Sequence, residues 1–193
     1  MCFFMGTHRV AIFVDGAYLD KILEPIRRGQ KVDFHLFLSN VVKKAGIDRE
    51  IIRIYYYHCL PYQSDPPTAE QSQKLSNAQR FFRALQRTSR FEVRLGRLAY
   101  RGDNSEGKPI YEQKRVDLLL GIDLTLHAAR RTVDEVFIVA GDSDFIPAIT
   151  AAKSEGIVTY LVHGLYSHDD LLDEVDERIE INEELINSAI LLI

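Results

Sequence analysis

The first clear signal in the chain is an unbroken apolar run, Val10-Ala11-Ile12-Phe13-Val14, ended by Asp15-Gly16. A run without polar alternation predicts a strand buried on both faces, as in a parallel sheet. IIRIYYYHC (51–59) is β-branched and aromatic and predicts a second strand. In FEVRLGRLAY (91–100), Phe91, Val93 and Leu95 alternate with Glu92, Arg94 and Gly96, which predicts a half-exposed strand. DEVFIVAG (134–141) and IVTYLVHG (157–164) predict two more. Helical patterns fill the gaps. Residues 17–29 form a short helix that Pro25 would end or bend and Gly29 would close. Residues 33–45 start at the cap residue Asp33 and stop at Gly46. Further helices are expected at 69–86, about 115–131 and 145–155. PYQSDPPT (61–68) reads as a proline-broken loop and RGDNSEGKP (101–109) as a turn or mobile loop. The tail holds a short acidic helix, an extended ERIEI piece and a last helix.

Strands that alternate with helices predict a three-layer α/β fold with a mainly parallel sheet. With 193 residues, no internal repeat and no linker, one domain spanning 1–193 is expected, with 61–112 as an elaboration on its core. The chain is 46% hydrophobic and 27% charged, which places it among globular and not disordered proteins. No apolar run is long enough to span a membrane, so no membrane partner is expected. The greasy start MCFFM lacks the basic region and cleavage pattern of a signal peptide. Cys2 and Cys59 have neither a metal-binding spacing nor the numbers for a disulfide scaffold. A reducing cytoplasm is the expected setting and zinc is not expected.

Charge changes the picture once it is mapped. The stretch from Arg80 to Arg101 has seven arginines and one acid, a net +6, which leaves −10 for the remainder of a chain of net charge −4. Two buried strands end in carboxylates: RVAIFV-Asp15 and VFIVAG-Asp142-Ser143-Asp144. In an open parallel sheet, ligands bind beyond the carboxyl ends of the strands. Asp15 and Asp142 therefore share one rim if their strands are parallel. The helix from 115 must enter from that rim to carry the chain back, so Asp117 in its first turn belongs there too. Asp123 lies six residues further, roughly 9 Å deeper at 1.5 Å per residue, and is rotated away. It is read as supporting the site from behind. Crowded carboxylates repel unless a cation or protons offset them. All-oxygen ligands suit Mg²⁺ or Mn²⁺, which activate water and polarise a phosphoryl oxygen. That chemistry is phosphodiester hydrolysis.

Three segments in this order, FVDGAYL, KRVDLLLGID and VAGDSDFIPAI followed by GIVTYLVHG, resemble the NYN domain, a branch of the PIN-like nucleases that includes a LabA-like group. The resemblance covers roughly 9–60 and 109–181. It implies a Rossmann-like, PIN-like three-layer sandwich, for which a strand order of 3-2-1-4-5 is expected, and metal-dependent cleavage of RNA. Its acidic positions fall on Asp15, Asp117, Asp142 and Asp144, its lysine on Lys114, and a further helical acid on Asp123. Tyr18 stands where the family usually has asparagine. A tyrosine cannot orient a metal-bound water or a phosphate as an amide does.

Each motif also has a plainer reading. Asp15-Gly16 can be a strand exit and helix cap, Asp117 can serve the helix dipole, and Asp142-Ser143-Asp144 can be a cap. Ser143 is not read as a nucleophile, because the Gly-x-Ser-x-Gly elbow and a placed His–Asp pair are missing. It is expected to cap the helix or touch a phosphate. An Asp-x-Asp-x-Thr phosphotransferase motif is absent from the first strand, and a Toprim-like site is a lesser rival. Arg80, Arg83 and Arg87 share one helical face, which is either solvated or contacts phosphate. Tyr55, Tyr56 and Tyr57 are expected to pack. The leading expectation is a Mg²⁺- or Mn²⁺-dependent endoribonuclease acting on RNA, preferentially single-stranded. Asp15, Asp117, Asp142 and Asp144 would be its catalytic, metal-binding acids, with Asp123, Ser143 and Lys114 in support. Lys114, Arg115, Tyr18, Arg80, Arg83, Arg87 and Arg94 would meet substrate. The rival is an NYN domain that binds RNA or a protein without cutting. The apolar ends MCFFM and AILLI are expected to be able to pack in a homodimer.

Overall fold

The computed structural model describes residues 6–46, 48–107 and 109–191. Seven strands form one sheet, in the order β4-β3-β2-β1-β5-β6-β7. They are β1 (His8–Asp15), β2 (Arg49–Cys59), β3 (Phe91–Asp103), β4 (Pro109–Lys114), β5 (Glu135–Val139), β6 (Val158–His163) and β7 (Glu177–Glu180). All neighbours are parallel except β3 and β4. The five strands expected from the apolar pattern hold the expected order 3-2-1-4-5, with β4 and β7 added at the edges. The helices are α1 (Gly16–Arg27), α2 (Phe34–Lys44), α3 (Ala69–Arg87), α4 (Val116–Ala129), α5 (Ile146–Ser154), α6 (Asp169–Glu174) and α7 (Glu183–Asn187).

The alternation of side chains along a strand divides the core between two faces. Val10, Ile12 and Val14 point with Ile54, Tyr56, Phe137 and Val139 toward α1, α2, α3 and α7. Ala11 and Phe13 point with Tyr55, Tyr57, Val136 and Ile138 toward α4, α5 and α6. A strand covered on both sides needs apolar residues at every position, which is why the pattern at 10–14 has no alternation. All three of Tyr55, Tyr56 and Tyr57 are buried, as expected.

Two local readings change. Pro25 does not end α1, which continues to Arg27 and closes with Arg28 (φ 47°) and Gly29 (φ 80°) in the left-handed region. Residues 101–114 are a hairpin and not only a loop: β3 runs on past the parallel sheet, turns, and returns as β4. Strand β4 has little signal of its own, since it begins at a proline and its pairing is its only support. The stretch 61–112 thus supplies α3, β3 and β4, and β3 widens the sheet.

At the amino edge of the sheet a buried ionic knot ties four strands. Arg49 Nε lies 2.5 Å from Glu135 Oε2, and Arg49 also donates to the Tyr160 hydroxyl (3.0 Å) and the Ala45 carbonyl (3.0 Å). His8 Nδ1 lies 2.8 Å from Glu135. The side chains of Arg49 and Glu135 are only 13% and 4% exposed, so each charge depends on the other. At the carboxyl end of the chain, Ala189 is buried and Ile190 bridges Val32. Of the segment AILLI, Ala189 and Ile190 are thus engaged within the chain and Leu191 is exposed, while residues 1–5 and 192–193 lie outside the described residues. Among the described residues no helix is long and apolar enough to cross a membrane.

The variant Glu135→Ala should lower unfolding free energy by about 3–5 kcal/mol, the usual cost of stranding one buried charge. A urea titration followed by circular dichroism measures it; an unchanged midpoint would show that the knot contributes nothing.

Candidate active site

Register brings the acids to one rim. Val14 lies opposite Val139 in the parallel pairing of β1 with β5, so both strands end level with each other. Asp15 is the last residue of β1, and Asp142 follows β5 by three residues. Lys114, the last residue of β4, pairs with Arg97, the residue after the Cys59–Gly96 pair at the end of β2. The returning hairpin thus delivers the chain to the rim just before α4 starts. Arg115 makes the turn in the left-handed region (φ 75°), and Asp117 stands in the first turn of α4.

Each acid has a local anchor and an uncommitted side. Asp15 Oδ1 accepts the N–H groups of Ala17 (3.0 Å) and Tyr18 (3.2 Å), and so caps α1. Asp142 Oδ1 accepts the N–H of Asp144 (3.1 Å) across the single 3-10 turn Ser143–Phe145. The plain cap readings are therefore true of these two residues, and each leaves Oδ2 without a protein donor among the described residues. Asp117 and Asp144 are exposed, and Ser143 is half-buried within the turn.

The electrostatics link these segments. Burial pushes the Asp15 carboxyl above its usual pKa, and the charge of Asp117 pushes the same way, against the two backbone N–H groups. Burial, then the charges of Asp142 and Asp144, push Asp117 up as well. Asp117 thus feels the two acids of the β5 exit, and Asp15 in turn feels Asp117. A groove of about 740 Å³ between α4 and α5 opens beside them, with Asp117 and Asp144 on its lining and Leu118 and Ile122 along its wall.

Other expected residues lie elsewhere. Asp123 faces β2 and β3: it accepts the Tyr57 hydroxyl (2.8 Å) and lies 3.1 Å from Arg94 Nε. Arg94 is also paired with Glu92, so it is held in a side network. Helix α3 leads into β3, whose start lies at the far edge of the sheet. Arg80, Arg83 and Arg87 occupy the second half of α3 and so descend away from the acids. Lys114 and Arg115 are exposed at the rim itself. Tyr18 is buried: its hydroxyl accepts the Gly164 N–H (3.0 Å) and shares a hydrogen bond with Ser167 Oγ (2.6 Å). Its ring lies against Gly141, where a Cβ would come within 2.2 Å of Tyr18 Cε2. Tyr18 therefore clamps the exits of β5 and β6.

Two further residues stand at the rim without an acidic side chain. His58 and Cys59 end β2, and the rule that placed Asp15 and Asp142 applies equally to that strand. His58 Nε2 lies 3.4 Å from Asp20 Oδ2. Burial opposes protonation of His58, but Asp20, the Cys59 backbone and the charge of Asp15 outweigh it and hold the pKa above the usual histidine value. Burial raises the Cys59 thiol pKa, and the charges of Asp117 and Asp15 add to this.

Two outcomes follow. Tyr18→Phe should lower stability by about 1–3 kcal/mol, because the buried Gly164 N–H loses its acceptor; thermal unfolding with no shift would refute the clamp. Asp15 and Asp117 have folded pKa values above the unfolded ones, so folding binds protons there. Their cost to stability grows as pH rises from the ordinary carboxylate range through the folded pKa. Asp117→Asn should therefore raise Tm at pH 7 in chelator and have a smaller effect near pH 3. Equal Tm values for variant and wild type at pH 7 would mean that the acids do not strain the rim.

The family model of the NYN domain matches residues 9–182, most of the chain, and no curated protein matches it. The match spans all three segments that build the rim, and the chain belongs to the NYN domain family.

Proposed function

We propose that the protein is a metal-dependent ribonuclease that hydrolyses RNA phosphodiester bonds at this rim. Family membership gives a nuclease-like, RNA-related function in coarse terms, and nucleases of this kind typically use divalent metals. The observation that carries the finer reading is the convergence of Asp15, Asp117, Asp142 and Asp144 from three chain segments, with Asp15 pushed up in part by the charge of Asp117, and Asp117 by those of Asp142 and Asp144.

The donor chemistry fits a hard cation. The four acids offer only carboxylate oxygens, and Asp15 and Asp142 each keep one oxygen free of protein donors. Among the described residues, no three His, Cys, Asp or Glu side chains are drawn together tightly enough to hold an ion by themselves. Asp15, Asp117 and Asp142 would hold Mg²⁺ or Mn²⁺ partly through its bound water, since Mg²⁺ commonly keeps several waters. When bound, the cation supplies Lewis-acid activation of the phosphodiester.

The chain's own residues do the remainder. Backbone N–H groups fix Asp15 and Asp142, so their free oxygens are presented without rotamer search. Asp117 would meet the cation, whose charge offsets the neighbouring acids that push its pKa up. Asp144 borders the mouth of the groove. Lys114 and Arg115 offset phosphate charge where the hairpin meets α4.

A second reading, binding of RNA or a protein without cleavage, is favoured by one observation. Tyr18 stands where the amide would face substrate, and its hydroxyl is already engaged with Gly164 and Ser167.

Incubation of labelled single-stranded and structured RNA with the protein and Mn²⁺ or Mg²⁺ separates the two. Cleavage should stop with chelator and fall at least about 100-fold in Asp142→Asn, the scale on which one electrostatic contact to the reacting group acts. Cleavage that Asp142→Asn leaves intact would remove these acids from the reaction, and binding without cleavage would establish the second reading.

A further inference from the structure

The hairpin that returns the chain to the rim carries a feature that the acids do not explain. Three tyrosines from distant positions meet on it: Tyr62 from the loop after β2, Tyr100 from β3 and Tyr111 from β4. Their ring centroids are 5.7 Å (Tyr62–Tyr100), 5.4 Å (Tyr62–Tyr111) and 6.1 Å (Tyr100–Tyr111) apart. Tyr100 and Tyr111 face each other in register. Mutual packing steadies a hairpin, but here it leaves Tyr100 44% and Tyr111 41% exposed. Single apolar residues on a surface are ordinary, whereas a cluster of open aromatic faces is the feature of a binding surface.

Its position gives it a partner. Three residues nearer the rim, Arg97 pairs with Lys114, about 10 Å along the strands from the Tyr100–Tyr111 pair at roughly 3.3 Å per residue. Arg115 follows, and Asp117 comes two residues later. Arg97, Lys114 and Arg115 are exposed and carry no ion pair among the described residues. Arg101, by contrast, is tied to Glu112. The order along the hairpin is therefore open aromatic faces, then cations outside any ion pair, then the rim carboxylates, with Glu112 between the first two held by Arg101. A strand of nucleic acid has the same order of needs: π-faces for its bases, cations for its phosphates, and the acids at the bond to be cut.

We propose that Tyr62, Tyr100 and Tyr111 form a stacking platform for unpaired bases, and that Arg97, Lys114 and Arg115 guide the backbone of single-stranded RNA from it to the acid rim. The proposal rests on the nuclease reading and names its substrate class. Bases in a duplex already stack on each other and do not offer their faces, so the platform selects single strands.

The test is fluorescence anisotropy with end-labelled single-stranded and duplex RNA of equal length, in chelator so that nothing is cut. Tyr111→Leu and Tyr100→Leu keep apolar bulk in the hairpin but remove the aromatic face. Each should weaken single-strand binding about tenfold, while Tyr111→Phe stays near wild type. Lys114→Gln should reduce the salt dependence and keep the preference for single strands. Leucine variants that bind like wild type, or a wild type that binds duplex equally well, would overturn the platform. Hydrolysis of bis(p-nitrophenyl) phosphate with Mn²⁺ reads the acids without any base to stack. Its absence in wild type would count against the nuclease reading, while the anisotropy would still decide the platform.

Discussion

Everything at the rim depends on one pairing, the parallel register of β1 with β5. Val14 opposite Val139 makes the two most buried strands end together. Neither strand can slip by one residue, because a slip would turn Val10, Ile12 and Val14 to the wrong core and Phe13 out of its stack with Tyr55. The acids inherit their position from this apolar register. No salt bridge or metal is needed to set Asp15 beside the β5 exit, and none of the carboxylates contributes to the core that places them.

The two edges of the sheet have opposite electrostatic character. At the amino edge, Glu135 meets Arg49, and nearby Asp134 meets Arg9, so buried and half-buried acids find cations. Arg9 and its bonds pull Asp134 below the usual carboxylate range. At the carboxyl edge, Asp15 and Asp117 move the other way. Structural acids are stabilised by their neighbours, while these are opposed first by desolvation and then by neighbouring carboxylates. Strain of this kind survives only where the surrounding fold is strong enough to impose it, and it is commonly found at functional sites. The clamp formed by Tyr18 belongs to the imposing side. It fastens the β5 and β6 exits so that the loop bearing Asp142 cannot relax away from the other acids.

Most of the fold was legible because burial leaves a local trace. The runs at 10–14 and 135–139 declare two-sided strands, and Asp33 declares its helix as a capping residue. Two of the acidic segments were legible for the same reason, since a strand exit is marked by the sudden change from apolar to Asp, and Asp117 was placed by the need for its helix to enter from the same rim. What was not legible is whatever exists only through distant pairing. Strand β4 needs β3 to be a strand at all. The role of Tyr18 lies in Gly141, Gly164 and Ser167, more than 120 positions away. Arg80, Arg83 and Arg87 show their common face in the sequence, but not that α3 carries them away from the rim. His58 and Cys59 were readable in principle, since β2 ends on the same edge as β1.

The hairpin joins β4 to α4 without a break, and this has a consequence for scale. Tyr111, Lys114 and Asp117 are successive three-residue steps on one chain, with a single left-handed turn at Arg115 between strand and helix. The separation between the aromatic cluster and the acids is therefore a length written into covalent geometry. It does not depend on how two independent parts happen to dock. A protein built this way carries a ruler, and any strand anchored at one end of it would be offered to the other end at a constant number of nucleotides.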